Sequence, residues 1–131
     1  MGLQQLLRIR RNSGWSIDKM KIQTQNYNDI TVIELQGEFS AEFVKPFQDT
    51  ATAVVTTKKT TGIVIDMTNV GFIDSRGLEQ LVWLDEYCRE NNCRVKLAGL
   101  DENCEKILEI TRLQQQFDAY SELSEAFKSF V

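Results

Sequence analysis

Residues 62–78 read GIVIDMTNVGFIDSRGL, and the fold turns on how this stretch is divided. Ile63-Val64-Ile65-Asp66-Met67 is a continuous apolar run closed by an acid. Runs of this kind mark a central strand covered on at least one face. From Gly77 to about Glu90 the spacing changes: Leu78, Leu81, Val82, Leu84 and Cys88 recur with helical period. Between the two patterns stands Phe72-Ile73-Asp74-Ser75-Arg76, an apolar pair that runs into an acid, a hydroxyl and a base. The stretch therefore predicts strand, polar junction, helix. Asp85 falls inside the apolar face of that helix, and Arg89, one turn on, is its expected partner. Trp83 and Tyr87 lie one turn apart on another side. They either pack on a neighbouring helix or form an exposed aromatic patch.

Upstream, KIQTQNY (21–27) and ITVIELQG (30–37) flank the turn signal Asn28-Asp29 and read as an antiparallel hairpin ended by Gly37-Glu38-Phe39. Ser40 offers a helix cap, with Phe43 in the turn that follows. Pro46 is the only proline and is tolerated in a first turn, so the regular helix is expected from near Lys45 to about Thr56. Phe47, Ala51, Val54 and Val55 form its buried stripe. Threonines 56, 57, 60 and 61 with Lys58 and Lys59 make a solvated connection to the central strand.

Downstream, Asn91-Asn92 breaks the helix and RVKLAGL (94–100) alternates as a strand. Asp101 caps a helix from Glu102 to about Thr111, with Cys104, Ile107, Leu108 and Thr111 inward. Phe117-Asp118-Ala119-Tyr120 reads as a short final strand or extended segment. Ser121 then caps a last amphipathic helix through Leu123, Ala126, Phe127 and Phe130. After the hairpin, strands and helices alternate, which predicts an α/β domain with a largely parallel sheet and the hairpin at one side.

The first twenty residues differ from the rest. Arg8, Arg10, Arg11 and Lys19 gather there, just ahead of Lys21, against the single acid Asp18. The segment 1–20 reads as a basic N-terminal extension, either a frayed tail or an amphipathic surface helix built on Leu3, Leu6, Leu7 and Ile9. Met20 is an alternative start, and the folded domain is expected to span 21–131.

The chain has 131 residues, a single-domain length, with 42% apolar and 26% charged residues. A net charge of −4 argues against a nucleic-acid binder. No apolar run spans a bilayer, and no signal peptide is read at the start. The three cysteines, Cys88, Cys93 and Cys104, are expected to be free thiols in a reducing cytoplasm. They form no C-x-x-C pair, and histidine is absent. These absences leave no support for a zinc site, a redox centre or a His-activated nucleophile. No glycine-rich phosphate loop is present, so no cofactor is nominated. Asp66 and Asp74 bracket one strand end and its loop. That arrangement is open to paired-carboxylate acid–base work but more commonly caps turns or marks an interaction face. Ser75 is left as the conspicuous group. It stands just ahead of a helix, where open N–H groups and the positive dipole end face outward, and it reads either as a simple cap or as a modifiable hydroxyl.

GIVIDMTNVGFIDSRGLEQL (62–81) resembles the central signature of STAS domains, the family of bacterial anti-sigma factor antagonists. The matching positions are Asp66, Phe72, Ile73, Asp74, Ser75, Gly77 and Leu78. The resemblance extends upstream to VIELQGEF and downstream through RVKLAGL to Thr111-Arg112-Leu113. It implies a mixed four- or five-stranded sheet with helices packed largely on one side, and a non-enzymatic binding module. It further implies that Ser75 is phosphorylated by a GHKL-type kinase that is also an anti-sigma factor, and that a PP2C-type phosphatase reverses this. Unphosphorylated, the module binds the kinase and frees the sigma factor. Asp66, Asp74, Ser75, Arg76, Gly77 and Ser40 are the partner-binding positions so implied. Two departures bear on partner choice: Arg76 replaces a frequent second serine, and Ser40 replaces a common aspartate. Other members of the resembled family serve as subunits of lipid-transport ABC complexes or of larger signalling assemblies, which gives the alternative function.

Overall fold

The computed structural model describes residues 21–57 and 60–130. The basic extension 1–20 and the lysines 58 and 59 lie outside the described residues. Five strands form one mixed sheet in sequential order: β1 (Lys21–Tyr27), β2 (Ile30–Phe39), β3 (Gly62–Ile73), β4 (Arg94–Ala98) and β5 (Asp118–Tyr120). β1 and β2 pair antiparallel across a two-residue turn in which Asn28 takes the left-handed conformation (φ 61). β2, β3, β4 and β5 are mutually parallel. The helices are α1 (Val44–Thr57), α2 (Ser75–Glu90), α3 (Glu102–Ile110) and α4 (Leu123–Lys128), with a 3₁₀ turn at Ala41–Phe43 leading into α1.

Each parallel crossover steps one strand in the same direction. Crossovers of one hand that step one way put their helices on one face, so α1, α2 and α3 share a side. Their apolar stripes close on Ile33, Leu35, Ile63, Ile65, Met67, Val95 and Leu97 to form the main core. The stripe of Phe47, Ala51, Val54 and Val55 is buried as its spacing predicts. The chain then returns over the other face as α4, where Ala126 packs on Val32, Val64 and Ala98. The outcome is the expected α/β domain, with helices largely on one side.

β3 departs from the sequence reading. It continues past Met67 to Ile73. Its pairing with β4 stops at Asp66–Ala98, while its pairing with β2 runs on to Phe39–Ile73 through two register shifts. Long β2 supplies the ladder that TNVGFI, weakly patterned by itself, needs to stay extended; the bulges absorb the surplus residues. Four smaller corrections follow from local chemistry. α2 begins at Ser75 rather than Gly77, because Asp74 is its cap. Glu122, not Ser121, precedes α4, and its N–H donates to the Glu125 carboxylate at 3.2 Å. Thr111 is exposed, since the helix ends at Ile110 and the Thr111 hydroxyl turns back to the Ile107 carbonyl. Trp83 and Tyr87 stack on each other at 5.3 Å and are half-buried against the core edge.

Three charged groups among the described residues are buried: Asp66, Asp85 and Lys96. Asp85 is 5% exposed, ion-paired with Arg89 at 3.1 Å and accepting from Gln116 Nε2 at 3.2 Å. Lys96 faces α4, where Nζ donates to the Ser129 carbonyl (3.2 Å) and hydroxyl (2.7 Å) and stands 4.3 Å from the Phe130 ring centre. This lysine ties the end of α4 to the sheet by charge-assisted hydrogen bonds and a cation–π contact. Lys96→Ala is expected to cost about 1.5–3 kcal/mol, the range for hydrogen bonds to charged groups. Urea denaturation measures it, and Lys96→Met, which keeps most of the stem, should lose less.

Candidate functional site

The candidate site lies at the carboxyl ends of β2 and β3, where the chain turns from β3 into α2. Phe39 and Ile73 are the last register pair of the two strands. Ser40 and Asp74 follow them directly, so the two segments leave the sheet side by side, about 4.8 Å apart. The Phe39 carbonyl accepts the Asp74 N–H at 3.1 Å, which fixes the junction. Gly77 then passes so close to this carbonyl that a Cβ there would meet it at 2.5 Å, and Ile73 Cγ1 at 2.8 Å. Glycine is needed here for close backbone approach rather than for an unusual φ.

Asp74 caps α2: its Oδ1 accepts from the Gly77 N–H at 2.9 Å, and its carbonyl accepts from Leu78 N at 3.0 Å. Of the donors at this helix end, Asp74 N is taken by Phe39 and Gly77 N by the cap. The N–H groups of Ser75 and Arg76 find no acceptor among the described residues and stand as the open pair, at the positive end of the helix dipole. Ser75 is thus the first residue of the helix, not its cap, and its side chain is exposed. Arg76 is exposed beside it, and Gly77 is buried beneath. Ser40 is half-buried and makes no capping bond through its side chain; its carbonyl instead accepts from Phe43 N at 3.0 Å.

Five of the six sequence-derived positions therefore meet: Ser40, Asp74, Ser75, Arg76 and Gly77. Asp66 does not join them. It is 8% exposed, on the α4 face of β3, and accepts from Thr68 Oγ1 (2.6 Å) and Thr68 N (3.1 Å). The facing stretch of β2, Glu34 to Phe39, spans five residue steps. At strand rise this places Asp66 roughly 17 Å from the junction. A shared acid–base role for Asp66 and Asp74 has no geometric basis.

Sequence reasoning missed two neighbours. Phe72 is 47% exposed while Ile73 is buried, so the apolar pair splits, one ring outward and one side chain inward. Strand alternation was the available signal, hidden because the strand was ended too early. Gln80 is buried on α2 and its Oε1 accepts from Gln48 Nε2 at 2.7 Å, which ties α1 to α2 one turn behind the site. Beyond the first turn of α2, Leu78, Val82, Trp83 and Leu113 line an open groove bordered by Glu79 and Glu86.

The sequence profile of the STAS domain family matches residues 21–126, and the chain belongs to that family. A STAS-domain containing protein of Pseudomonas aeruginosa (strain UCBPP-PA14) is 29% identical over 85 residues, which cover 65% of this chain and 82% of that one. Among solved structures, an anti-sigma factor antagonist from Mycobacterium paratuberculosis superposes with a TM-score of 0.76 at 20% identity, covering 86% of this chain and 94% of that one. The anti-sigma factor antagonist SpoIIAA in its unphosphorylated form gives 0.74 at 17% identity, covering 84% and 96%. At such identities the structural likeness carries the fold.

The cap and the exposed hydroxyl have separable energetics. Asp74→Ala is expected to lower stability by about 0.5–2 kcal/mol, and Gly77→Ala by about 1–3 kcal/mol through overpacking against Phe39. Ser75→Ala should stay within about 0.5 kcal/mol of the parent. Chemical denaturation of the three variants checks the ranking.

Proposed function

We propose that this STAS domain is an anti-sigma factor antagonist whose binding surface is switched by phosphorylation of Ser75. The observation that carries the reading is the exposed Ser75 hydroxyl at the first position of α2, on a surface shared with Ser40, Asp74 and Arg76. Membership of the family supports the binding-module class, and the family motif supports the choice of serine. No helix among the described residues is long and apolar enough to cross a membrane, and the proposed place of work is the cytoplasm.

The mechanism is local electrostatics. A phosphoryl group adds about −1.5 to −2 charges and three acceptor oxygens. On Ser75 it meets the open N–H groups of the helix end and the Arg76 guanidinium, which tolerate it without refolding. The surrounding surface is acidic: Asp74 caps the helix, and Glu38, Glu42 and Glu79 are exposed on the adjoining segments. A partner whose contact surface over this loop is apolar or acidic must then desolvate a dianion that it has no group to pair with. A loss of about 4 kcal/mol weakens such a complex roughly a thousandfold. The partner of the unmodified state is an ATP-binding kinase of the GHKL type that doubles as the anti-sigma factor; a PP2C-type phosphatase resets the switch. Phe72, exposed beside the junction, is an aromatic anchor for the same partner.

Incubation with the cognate kinase and ATP is expected to add one phosphate, at Ser75, as read by phosphopeptide mapping. Ser75→Ala should abolish labelling and keep partner binding, Ser75→Asp should weaken binding, and Phe72→Ala should weaken it tenfold or more without touching the fold. A label on another residue overturns the assignment.

A further inference from the structure

α2 ends in a closure whose two facing side chains are both cysteine. Asn91 is the cap residue, and Asn92 follows in the left-handed conformation (φ 57). The N–H groups of Asn91 and Cys93 both donate to the Cys88 carbonyl, at 2.9 and 2.8 Å. The Cys93 bond is the longer hydrogen bond of a Schellman closure, which brings the residue three before the cap against the residue two after it, ordinarily as an apolar contact. Here that pair is Cys88 and Cys93, both free and buried. With standard bond lengths, the 2.8 Å hydrogen bond holds the two Cα atoms within about 6.7 Å. That lies inside the span of about 4.4–6.8 Å that a disulfide bridges.

The two thiols differ in access and in chemistry. Cys88 has no exposed surface. Cys93 contributes to the wall of an open cleft of about 240 Å³, shared with Asp85, Arg89, Arg94, Gln116 and Asp118. Arg89 is held by Asp85, and Arg94 reaches Asp118 only at 3.7 Å and is itself 72% exposed. The neighbouring Cys88 thiol lowers Cys93 from the ordinary thiol range, while Cys93 raises Cys88, whose burial pushes it further the same way. Cys93 is 2% exposed, and this thiol at the cleft wall is also the better nucleophile of the pair.

We propose that Cys93 is a peroxide-oxidisable thiol and that Cys88 resolves it into an intramolecular disulfide at the carboxyl end of α2. The Cys93 thiolate attacks one oxygen of hydrogen peroxide and the O–O bond breaks. The departing hydroxide takes up the proton that Cys93 gave up and leaves as water, and Cys93 becomes a sulfenic acid. The Cys88 sulfur then attacks the Cys93 sulfur and the S–OH bond breaks. A second water departs with the Cys88 proton. In balance, two thiols and one peroxide give one disulfide and two waters. The pair stands near the opposite end of a 16-residue helix from Ser75, about 20 Å away, so the reaction is independent of the phosphorylation reading.

Cys104 is the built-in control. It is buried, its thiol donates to the Val70 carbonyl at 3.8 Å, and burial, with Asp101 nearby, pushes it up to about 12. The full chain is treated with hydrogen peroxide under native conditions, its remaining thiols are blocked in acid denaturant, and it is digested with trypsin without reduction. Cleavage after Arg89 and Arg94 puts the three cysteines on three peptides. The expected product joins peptides 77–89 and 90–94, two hydrogens lighter than their sum, while Cys104 is recovered blocked. In Cys88→Ala, Cys93 should instead be trapped by dimedone as the sulfenic acid, and in Cys93→Ala, Cys88 should remain a thiol. Recovery of Cys93 unmodified, or oxidation of Cys104 as fast as Cys93, overturns the proposal.

Discussion

The contact that organises this molecule is the approach of Gly77 to the last carbonyl of β2. Phe39 O receives the Asp74 N–H, and Gly77 passes over the same carbonyl with no room for a side chain. That packing fixes where β3 stops and α2 starts, and it sets the direction in which the first turn of α2 points. With Gly77 below and Asp74 capping, Ser75 has nowhere to go but outward. An exposed hydroxyl is ordinary. An exposed hydroxyl with two open backbone donors and the Arg76 guanidinium beside it is one that can carry a dianion and alter what binds there.

The sheet serves this junction. β2 and β3 are the two longest strands, and they run beyond β4 so that their carboxyl ends project together. The two bulges let β3 reach Ile73 in step with Phe39 while it carries surplus residues. The Gln48–Gln80 hydrogen bond and the Phe39–Phe47 ring contact, with centres 5.0 Å apart, hold α1 and α2 to that projection. A rigid platform is what a surface-charge switch requires, since the change in binding then comes from the added charge rather than from a rearrangement.

Much of this was legible in the chain before folding. The apolar run at 63–67, the helical spacing from Leu78 onward and the stripe of Phe47, Ala51, Val54 and Val55 assign the layers, because each period matches one element. The Asp85–Arg89 pair was also readable from its one-turn spacing. What stayed hidden depends on partners distant in sequence. TNVGFI is a strand only because β2 lies alongside it. Asp74 rather than Ser75 became the cap because the close packing of Gly77 fixes which N–H the carboxylate can reach. Asp66 was grouped with Asp74 by nearness in sequence, whereas an extended backbone separates them along the sheet. The Cys88–Cys93 juxtaposition has a local signal, a helix end followed by Asn-Asn, and lies at a spacing of five residues rather than that of a C-x-x-C pair.

The central claim is that charge at the first turn of α2, with no change of fold, governs partner binding. The most direct test titrates the ATP-binding partner kinase calorimetrically against the unmodified chain and against chain fully phosphorylated on Ser75, with circular dichroism on both. The account predicts superimposable spectra and a dissociation constant raised by about two to three orders of magnitude, roughly 3–4 kcal/mol. Equal affinities, or a loss of binding accompanied by altered secondary structure, would contradict it.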